Sequence, residues 1–180
     1  MNIDEIRRRL TESLSVTAGE DVSNTGVPAA VMILIAPSAA GPAIGFIRRA
    51  TAQDLHSGQI CFPGGKIEPD ETPLQAALRE TEEEIGVPGD LVEILGHMPV
   101  TSTKTTGFIV WPVVGIIAEV PTIRIEPREV EEFFWVPFDI LKQVRELDPA
   151  ASRPGIVFQG HEIWGLTLRI LVRLMGTLEE

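Results

Sequence analysis

From Thr72 to Pro88 the chain reads TPLQAALRETEEEIGVP, a stretch that specifies a helix together with both of its ends. Thr72 can cap the N-terminus, Pro73 suits the first helical position, and Gln75 completes a capping box with Thr72. Gly86 readily adopts the left-handed conformation that closes a helix, and Pro88 forbids continuation. At 3.6 residues per turn, Leu74, Ala77, Leu78, Thr81 and Ile85 form a buried stripe. Glu80, Glu83 and Glu84 stand at i, i+3 and i+4, so their carboxylates converge beside that stripe, whereas Glu82 points roughly the opposite way.

Folding alone does not select that acidic edge. Each like-charge pair at this spacing costs roughly 0.2–0.5 kcal/mol, and each acid in the last turn meets the negative end of the helix dipole at a cost of about 0.3–1 kcal/mol. The bland reading is a solvated acidic face, the usual fate of charge runs. A divalent cation reverses the sign of both penalties, because convergent carboxylate oxygens are what Mg²⁺ or Mn²⁺ prefers, with water and substrate phosphate completing the shell. Ala76 and Ala77 lie one turn earlier near the same edge, and their small side chains are expected to leave space for hydrated metal or substrate. Arg79, four residues before Glu83, is placed to orient it. Upstream, Pro63-Gly64-Gly65 can bring bare backbone close to a metal or phosphate, since glycine has no Cβ to obstruct the approach.

Elsewhere, Ile3, Ile6 and Leu10 predict an amphipathic helix near residues 3–14, followed by a polar link through Gly26. Residues 29–35 and 43–47 predict two buried strands punctuated by PSAAGP. Further strands are expected at 59–62, 92–95, 108–117 and 131–136. Helices are expected at 137–146 and 162–178, the last with Leu166, Ile170, Leu171 and Leu174 on one side. Strands and helices mixed without regular alternation predict an α/β fold with a mixed sheet between helices. With 180 residues, 44% hydrophobic and 23% charged, the expectation is one domain over residues 1–180, of which 1–25 form an N-terminal helical appendage.

A formal net charge of −11 repels nucleic-acid backbones and anionic lipid, so neither is an expected partner, and an anionic substrate needs a cation to mediate. Cys61 is the only cysteine, which excludes an internal disulfide and a cysteine-based metal site and leaves packing as its default role. The opening MNIDEIRRRLTESL has no apolar core of the kind a secretory leader needs, and no later apolar run is long enough to span a bilayer. A soluble, cytoplasmic protein is expected.

The run from Gly65 through Glu71, Arg79-Glu80 and Glu83-Glu84 to Gly86-Val87 resembles the Nudix box, G-x5-E-x7-R-E-U-x-E-E-x-G-U, where U is a bulky aliphatic residue. Every charged and glycine position matches; Thr81 alone stands where an aliphatic residue is usual. Upstream, Arg49-Ala50 followed by His56-Ser57-Gly58-Gln59-Ile60-Cys61-Phe62-Pro63-Gly64-Gly65 resembles the segment that marks coenzyme A diphosphatases within the Nudix superfamily. The stretches GFIVWPVVGII, EVEEFFWVP and HEIWGLTLRIL extend the likeness over most of the chain. Two places depart from that subgroup: Gly45-Phe46-Ile47 replaces its usual Leu-Leu-Thr, and Asp54 stands where a second arginine is common. Diadenosine polyphosphate hydrolases typically use a tyrosine a little beyond the box, and this chain has no tyrosine.

The resemblance implies a Nudix-type α/β/α sandwich and Mg²⁺- or Mn²⁺-dependent hydrolysis of a nucleoside diphosphate linkage. CoA or acyl-CoA is the first substrate reading; ADP-ribose, a dinucleotide or a nucleoside triphosphate is the alternative. A catalytically silent nucleotide-binding module is a third reading, disfavoured because Glu80, Glu83 and Glu84 are all retained. The resemblance further implies that Glu80, Glu83 and Glu84, with Gly64 beside them, hold the metal, that Glu71 and Arg79 brace the loop against the helix, and that Arg49, His56 and Gly65 touch substrate. The proton acceptor stays open between Glu80, Glu129, Glu131 and Glu132, the last three in a segment able to fold back toward the helix. The helices at the two ends of the chain are candidate surfaces for a homodimer.

Overall fold

The computed structural model describes residues 1–19, 26–50, 58–102, 107–145, 147 and 154–179. Its strands are β1 (Val27–Ser38), β2 (Gly41–Arg49), β3 (Ile60–Cys61), β4 (Gly64–Lys66), β5 (Glu93–His97), β6 (Thr101–Ser102), β7 (Phe108–Ile116), β8 (Val130–Pro137), β9 (Gly155–Phe158) and β10 (His161–Trp164). The main sheet runs in the order β3-β2-β1-β7-β5, with β4 paired to β1, β6 to β7 and β8 to β2. β1 and β7 run parallel from Val27 opposite Phe108 to Ile35 opposite Ile116, while β1 and β2 are antiparallel, so the sheet is mixed. β1 reads as a nearly continuous apolar run because both of its faces are covered. Ala30, Met32, Leu34 and Ala36 pack into one core, Ile33 and Ile35 into the other.

The helices supply those covers, making a three-layer α/β/α sandwich. α1 (Ile3–Ser13) packs on the Ile33 side, while α2 (Pro73–Ile85) packs on the Met32 side. α3 (Phe138–Leu141) and α4 (Gly165–Thr177) join α1 on the first of these faces. The expected N-terminal appendage is therefore built into the body of the fold: Ile6 and Leu10 are fully buried in the same core as Leu171 and Leu174 of α4. Each fully buried aliphatic side chain contributes roughly 1.5–3 kcal/mol. Arg9 Nη1 donates to Leu178 O at 2.8 Å, and Ser15 and His97 exchange backbone hydrogen bonds that tie the arm to β5. The apolar faces of both terminal helices, considered above as dimer surfaces, are thus used within the chain.

The last helix begins later than its apolar spacing predicts. Residues 161–164 form β10, paired with β9 across a two-residue turn in which Gln159 (φ 50°) and Gly160 (φ 86°) both adopt positive φ. That is the twist antiparallel strands favour in a tight hairpin. Ile163 and Leu166 mimic helical spacing, but Ile163 is buried from a strand and α4 starts directly after it at Gly165, whose φ is 62°. Residues 137–146 are likewise shorter as α-helix than expected, α3 passing into a 3-10 turn over Lys142–Arg145. Among the described residues, no helix is long and apolar enough to cross a membrane.

Candidate active site

The two ends of α2 form as the residue types dictate. Thr72 Oγ1 accepts from Gln75 N at 3.2 Å and Gln75 Oε1 accepts from Thr72 N at 2.8 Å, closing the capping box. Gly86 ends the helix at φ 71°, its N–H donating to Glu82 O at 2.9 Å. Thr81, the one departure from the aliphatic pattern, is fully buried and donates its hydroxyl to Ala77 O at 2.6 Å. That bond satisfies the polar group inside an apolar setting.

The buried face is rotated from the wheel's stripe. Ala76, Ala77, Thr81, Glu84 and Ile85 are buried, whereas Leu74 and Leu78 are only partly so. Ala76 and Ala77, expected to leave room for hydrated metal, instead pack against the sheet at zero exposure. Their small size serves a close approach between helix and sheet. The glycines permit it on the other side: Gly64, at φ 155°, would press a Cβ into Ala30 O, and a Cβ on Gly65 would overlap the Glu80 carboxylate.

This rotation carries Glu84 inward. Its side chain is 1% exposed, Oε2 accepts from Gly64 N at 2.8 Å, and Oε1 is buried with no hydrogen-bond partner among the described residues. Arg49 Nη1 lies 3.7 Å from that oxygen. Burial pushes the Glu84 carboxyl up to about 8, against the lowering effect of the Gly64 N–H and Arg49. Glu80 is also raised, chiefly by burial. One carboxylate oxygen each from Glu80, Glu84 and Glu129 lie within 4.8 Å of one another. An unpaired buried oxygen, three converging carboxylates and an all-oxygen donor set fit a hard divalent cation.

Glu83 is not part of that trio. It is 57% exposed and is held by Arg79 Nη1 at 3.0 Å. Arg79 is the hub of the site: Nε and Nη2 grip the two oxygens of Glu71 at 2.9 and 3.1 Å, Nη1 reaches Glu80 Oε1 at 2.9 Å, and Nη2 donates to Lys66 O at 3.1 Å. The bidentate guanidinium holds the Glu71 carboxyl below its ordinary range. Glu71 Oε2 also accepts from Glu68 N at 3.0 Å, so the loop before α2 is fastened to the helix through one arginine.

Glu129 arrives by a longer route. The chain after β7 crosses the C-terminal end of α2, where Arg124 N donates to Ile85 O and Glu126 N donates to Glu84 O, both at 3.0 Å. A turn follows, with Glu129 N and Val130 N donating to Glu126 O, and Ala50 N donates to Glu129 O at 2.9 Å. The strap satisfies helix carbonyls that otherwise lack partners and sets Glu129 against Glu80 and Glu84. Sequence reasoning anticipated that this acidic segment folds back, but not the backbone donors of Arg124 and Glu126, which carry no side-chain signal.

Glu131 and Glu132 are turned elsewhere. Arg48 Nη2 donates to Glu132 Oε2 at 2.9 Å, and Arg48 Nε lies 3.4 Å from Glu131 Oε2. Cys61, expected in the core, is half-buried on β3, its thiol pushed up to about 12 by burial and by Glu84. Phe62 is buried as expected. His56 lies outside the described residues.

The sequence model of the NUDIX domain family matches residues 26–156. An uncharacterised Nudix hydrolase, NudL, of Photorhabdus laumondii is 35% identical over 145 residues, covering 74% of this chain and 75% of that protein. Among solved structures, the Nudix hydrolase RenU of Mycobacterium smegmatis superposes with a TM-score of 0.58 at 23% identity, over 84% of this chain and 86% of that one. A bifunctional NMN adenylyltransferase/ADP ribose pyrophosphatase of Francisella tularensis, complexed with AMP and a Mn ion, gives a TM-score of 0.62 at 15% identity, over 85% of this chain and 42% of that one. The last two likenesses show a shared α/β/α fold. The family match and the NudL relative show more, and the chain belongs to the Nudix hydrolases, enzymes that act on phosphorus-containing anhydrides.

Proposed function

We propose that the protein hydrolyses CoA or acyl-CoA at its diphosphate, releasing 3′,5′-ADP and a 4′-phosphopantetheine product, with Mg²⁺ or Mn²⁺ as cofactor. The observation that carries the metal-dependent reading is the unpaired, buried Oε1 of Glu84 facing carboxylates of Glu80 and Glu129. Nudix hydrolases generally use divalent metal ions, and this donor set suits one. The CoA reading rests on the likeness of residues 49–65 to the coenzyme A diphosphatase segment and on the absence of tyrosine. A single domain acting in the cytoplasm, with no need of a second copy to complete the carboxylate cluster, accommodates this chemistry.

Glu80, Glu84 and Glu129 would hold the cation, and Glu83, oriented by Arg79, lies outside them. A divalent cation bound there supplies neutralisation of the diphosphate and a more acidic water. Gly64 fixes one oxygen of Glu84 and so aims the other. Gly65, by lacking a Cβ, leaves room for the Glu80 carboxylate to lie against the loop backbone. Arg49, 3.7 Å from Glu84, is placed to face substrate negative charge. In the reaction a water oxygen bonds to one phosphorus, the bridging P–O bond breaks, and two phosphomonoesters leave. The water's proton passes to a carboxylate of the cluster, for which Glu80 and Glu129 are positioned and Glu131 and Glu132, engaged by Arg48, are not.

A panel of CoA, acetyl-CoA, ADP-ribose, a diadenosine polyphosphate and a nucleoside triphosphate, incubated with the protein and Mg²⁺ or Mn²⁺ and read by product mass, tests the substrate. The expected products are 3′,5′-ADP and a 4′-phosphopantetheine compound. Intact CoA beside hydrolysis of another nucleotide contradicts the CoA reading and leaves the reaction class standing.

A further inference from the structure

Two of the arginines around β2 and α2 are committed to carboxylates. Arg79 engages Glu71, Glu80, Glu83 and the carbonyl of Lys66, and Arg48 faces Glu131 and Glu132. Arg49 is held far less tightly. Its ion pair among the described residues is the 3.7 Å contact with Glu84 Oε1, too long for a hydrogen bond and too loose to fix a planar fork. Its side chain is 32% exposed, so the guanidinium lies at the surface of the carboxylate cluster rather than under it.

Strand pairing shows what else stands beside it. Ile47 of β2 is opposite Cys61 of β3 and Arg48 is opposite Ile60. At the end of the pair, Arg49 N donates to Gln59 O at 3.1 Å and Gly58 N donates to Arg49 O at 3.0 Å, which fixes the Arg49 backbone. Side chains alternate along a strand, and cross-strand partners share a face. Phe46, Ile60 and Phe62 accordingly enter the core that holds α4, whereas Ile47 and Cys61 lie with the core that holds α2. Arg49, on the same side of β2 as Ile47, emerges on the α2 face diagonal to Cys61, a separation that a long side chain spans.

Glu84 reaches the same place from α2, fastened to Gly64 N just beyond β3. Burial works against the Arg49 charge; Cys61, Glu84 and Glu129 favour it, and the guanidinium is held above its ordinary value. Burial, and then Glu84, keep the Cys61 thiol protonated at neutral pH, so its sulfur is a neutral acceptor for a guanidinium N–H. Cys61 is only half-buried, at the boundary between the core and this cluster.

We propose that Cys61 is a positioning residue, its sulfur accepting from the Arg49 guanidinium and holding it beside the carboxylate cluster, with the other N–H groups turned to a phosphate oxygen of the substrate. What Arg49 then meets rests on the reading of the chain as a nucleotide diphosphatase; the contact between Cys61 and Arg49 does not.

The test is a double-mutant cycle of Cys61→Ala and Arg49→Gln in the full chain, with Cys61→Ser as the conservative variant, assayed with Mg²⁺ on whichever nucleotide of the panel the wild type cleaves. Arg49→Gln is expected to lower kcat/KM about tenfold and Cys61→Ala about threefold, as the loss of a charged contact and of a weak sulfur hydrogen bond would. Added to Arg49→Gln, Cys61→Ala is expected to have no further effect, because the group it positions is already gone. Cys61→Ser, whose hydroxyl also accepts, is expected to stay within about twofold of wild type. Thermal melts establish that each variant is folded. An equal loss from Cys61→Ala in both backgrounds, no loss in either, or a folded Cys61→Ser as impaired as Cys61→Ala overturns the proposal and leaves hydrolysis standing. The Arg49 Nε–H NMR signal, identified by its disappearance in Arg49→Gln, is read without metal or substrate and is expected to shift in Cys61→Ala. A protein that cleaves nothing on the panel yet shows this shift fails as a diphosphatase and keeps the Cys61–Arg49 contact; a signal unmoved by Cys61→Ala overturns the contact itself.

Discussion

At the N-terminal end of α2, Thr72 and Gln75 satisfy each other's backbone and Pro73 occupies the position where its missing N–H does no harm. At the C-terminal end Glu80, Glu83 and Glu84 crowd one edge, no basic residue stands in the last turn, and an oxygen of Glu84 is buried without a hydrogen-bond partner among the described residues. The first end is what stability selects, and the second is what stability opposes. An isolated helix would not hold the second arrangement, so the surrounding chain does: Arg79 gathers the outer acids, Gly64 fixes Glu84, and the backbone of Arg124 and Glu126 covers the last carbonyls. Strain against local preference, kept in place by long-range contacts, is the ground for proposing the cation site at this end of the helix.

The sharpest way to break this comparison is Glu84→Gln. Removing one carboxylate of the trio is expected to lower kcat by roughly 10²–10³-fold, while thermal stability of the metal-free chain at pH 8 holds or rises. A steady-state assay and a melt on the same preparation check both halves. Loss of stability with activity retained would make Glu84 a structural acid.

A second effect follows from the direction in which Glu84 is shifted. Between the ordinary glutamate value of 4.5 and about 8, the folded chain keeps a proton that the unfolded chain has shed. This group's contribution is therefore fully favourable below pH 4.5 and is lost as pH rises through about 8. Melts of metal-free protein across that window are expected to fall in Tm by an amount that Glu84→Gln largely abolishes. Added Mn²⁺ or Mg²⁺ is expected to reverse the trend, releasing the proton on binding.

The smallest effect belongs to the other end. Thr72→Ala removes the N-cap and is expected to cost about 1 kcal/mol of stability, read from chemical denaturation, with kcat unchanged well below the melting temperature. A large fall in kcat would mean that the two ends are not separable.

The same contrast explains what could be read before the fold was known. The span and caps of α2 are local, carried by Thr72, Gln75 and Gly86 within a few residues of their partners, and they form as expected. The mixed sheet was legible from the irregular alternation of strands and helices, and the burial of β1 from its apolar run. The face of α2 that turns inward was not, because the approach of β1 and the bare backbone of Gly64 and Gly65 rotate it toward Ala76 and Glu84. Helical spacing could not separate Glu83 from Glu84; only the packing of one side and the Arg79 bond on the other do so. Strand β10 was missed because Trp164 gives α4 no side-chain cap and the hairpin turn depends on Gln159 accepting a positive φ. Glu129 was within reach as one of several acids, but its selection over Glu131 and Glu132 depends on a strap of backbone hydrogen bonds to α2.

The central claim is that the unfavourable end of α2 becomes a cation site with Glu129. Anomalous difference density at the manganese edge, from crystals grown with Mn²⁺, tests it directly. The expected result is a peak about 2.1 Å from carboxylate oxygens of Glu84 and Glu80, with Glu129 completing the protein's share. A peak elsewhere, or none at Glu84 in crystals whose protein hydrolyses nucleotide with Mn²⁺, would contradict the account.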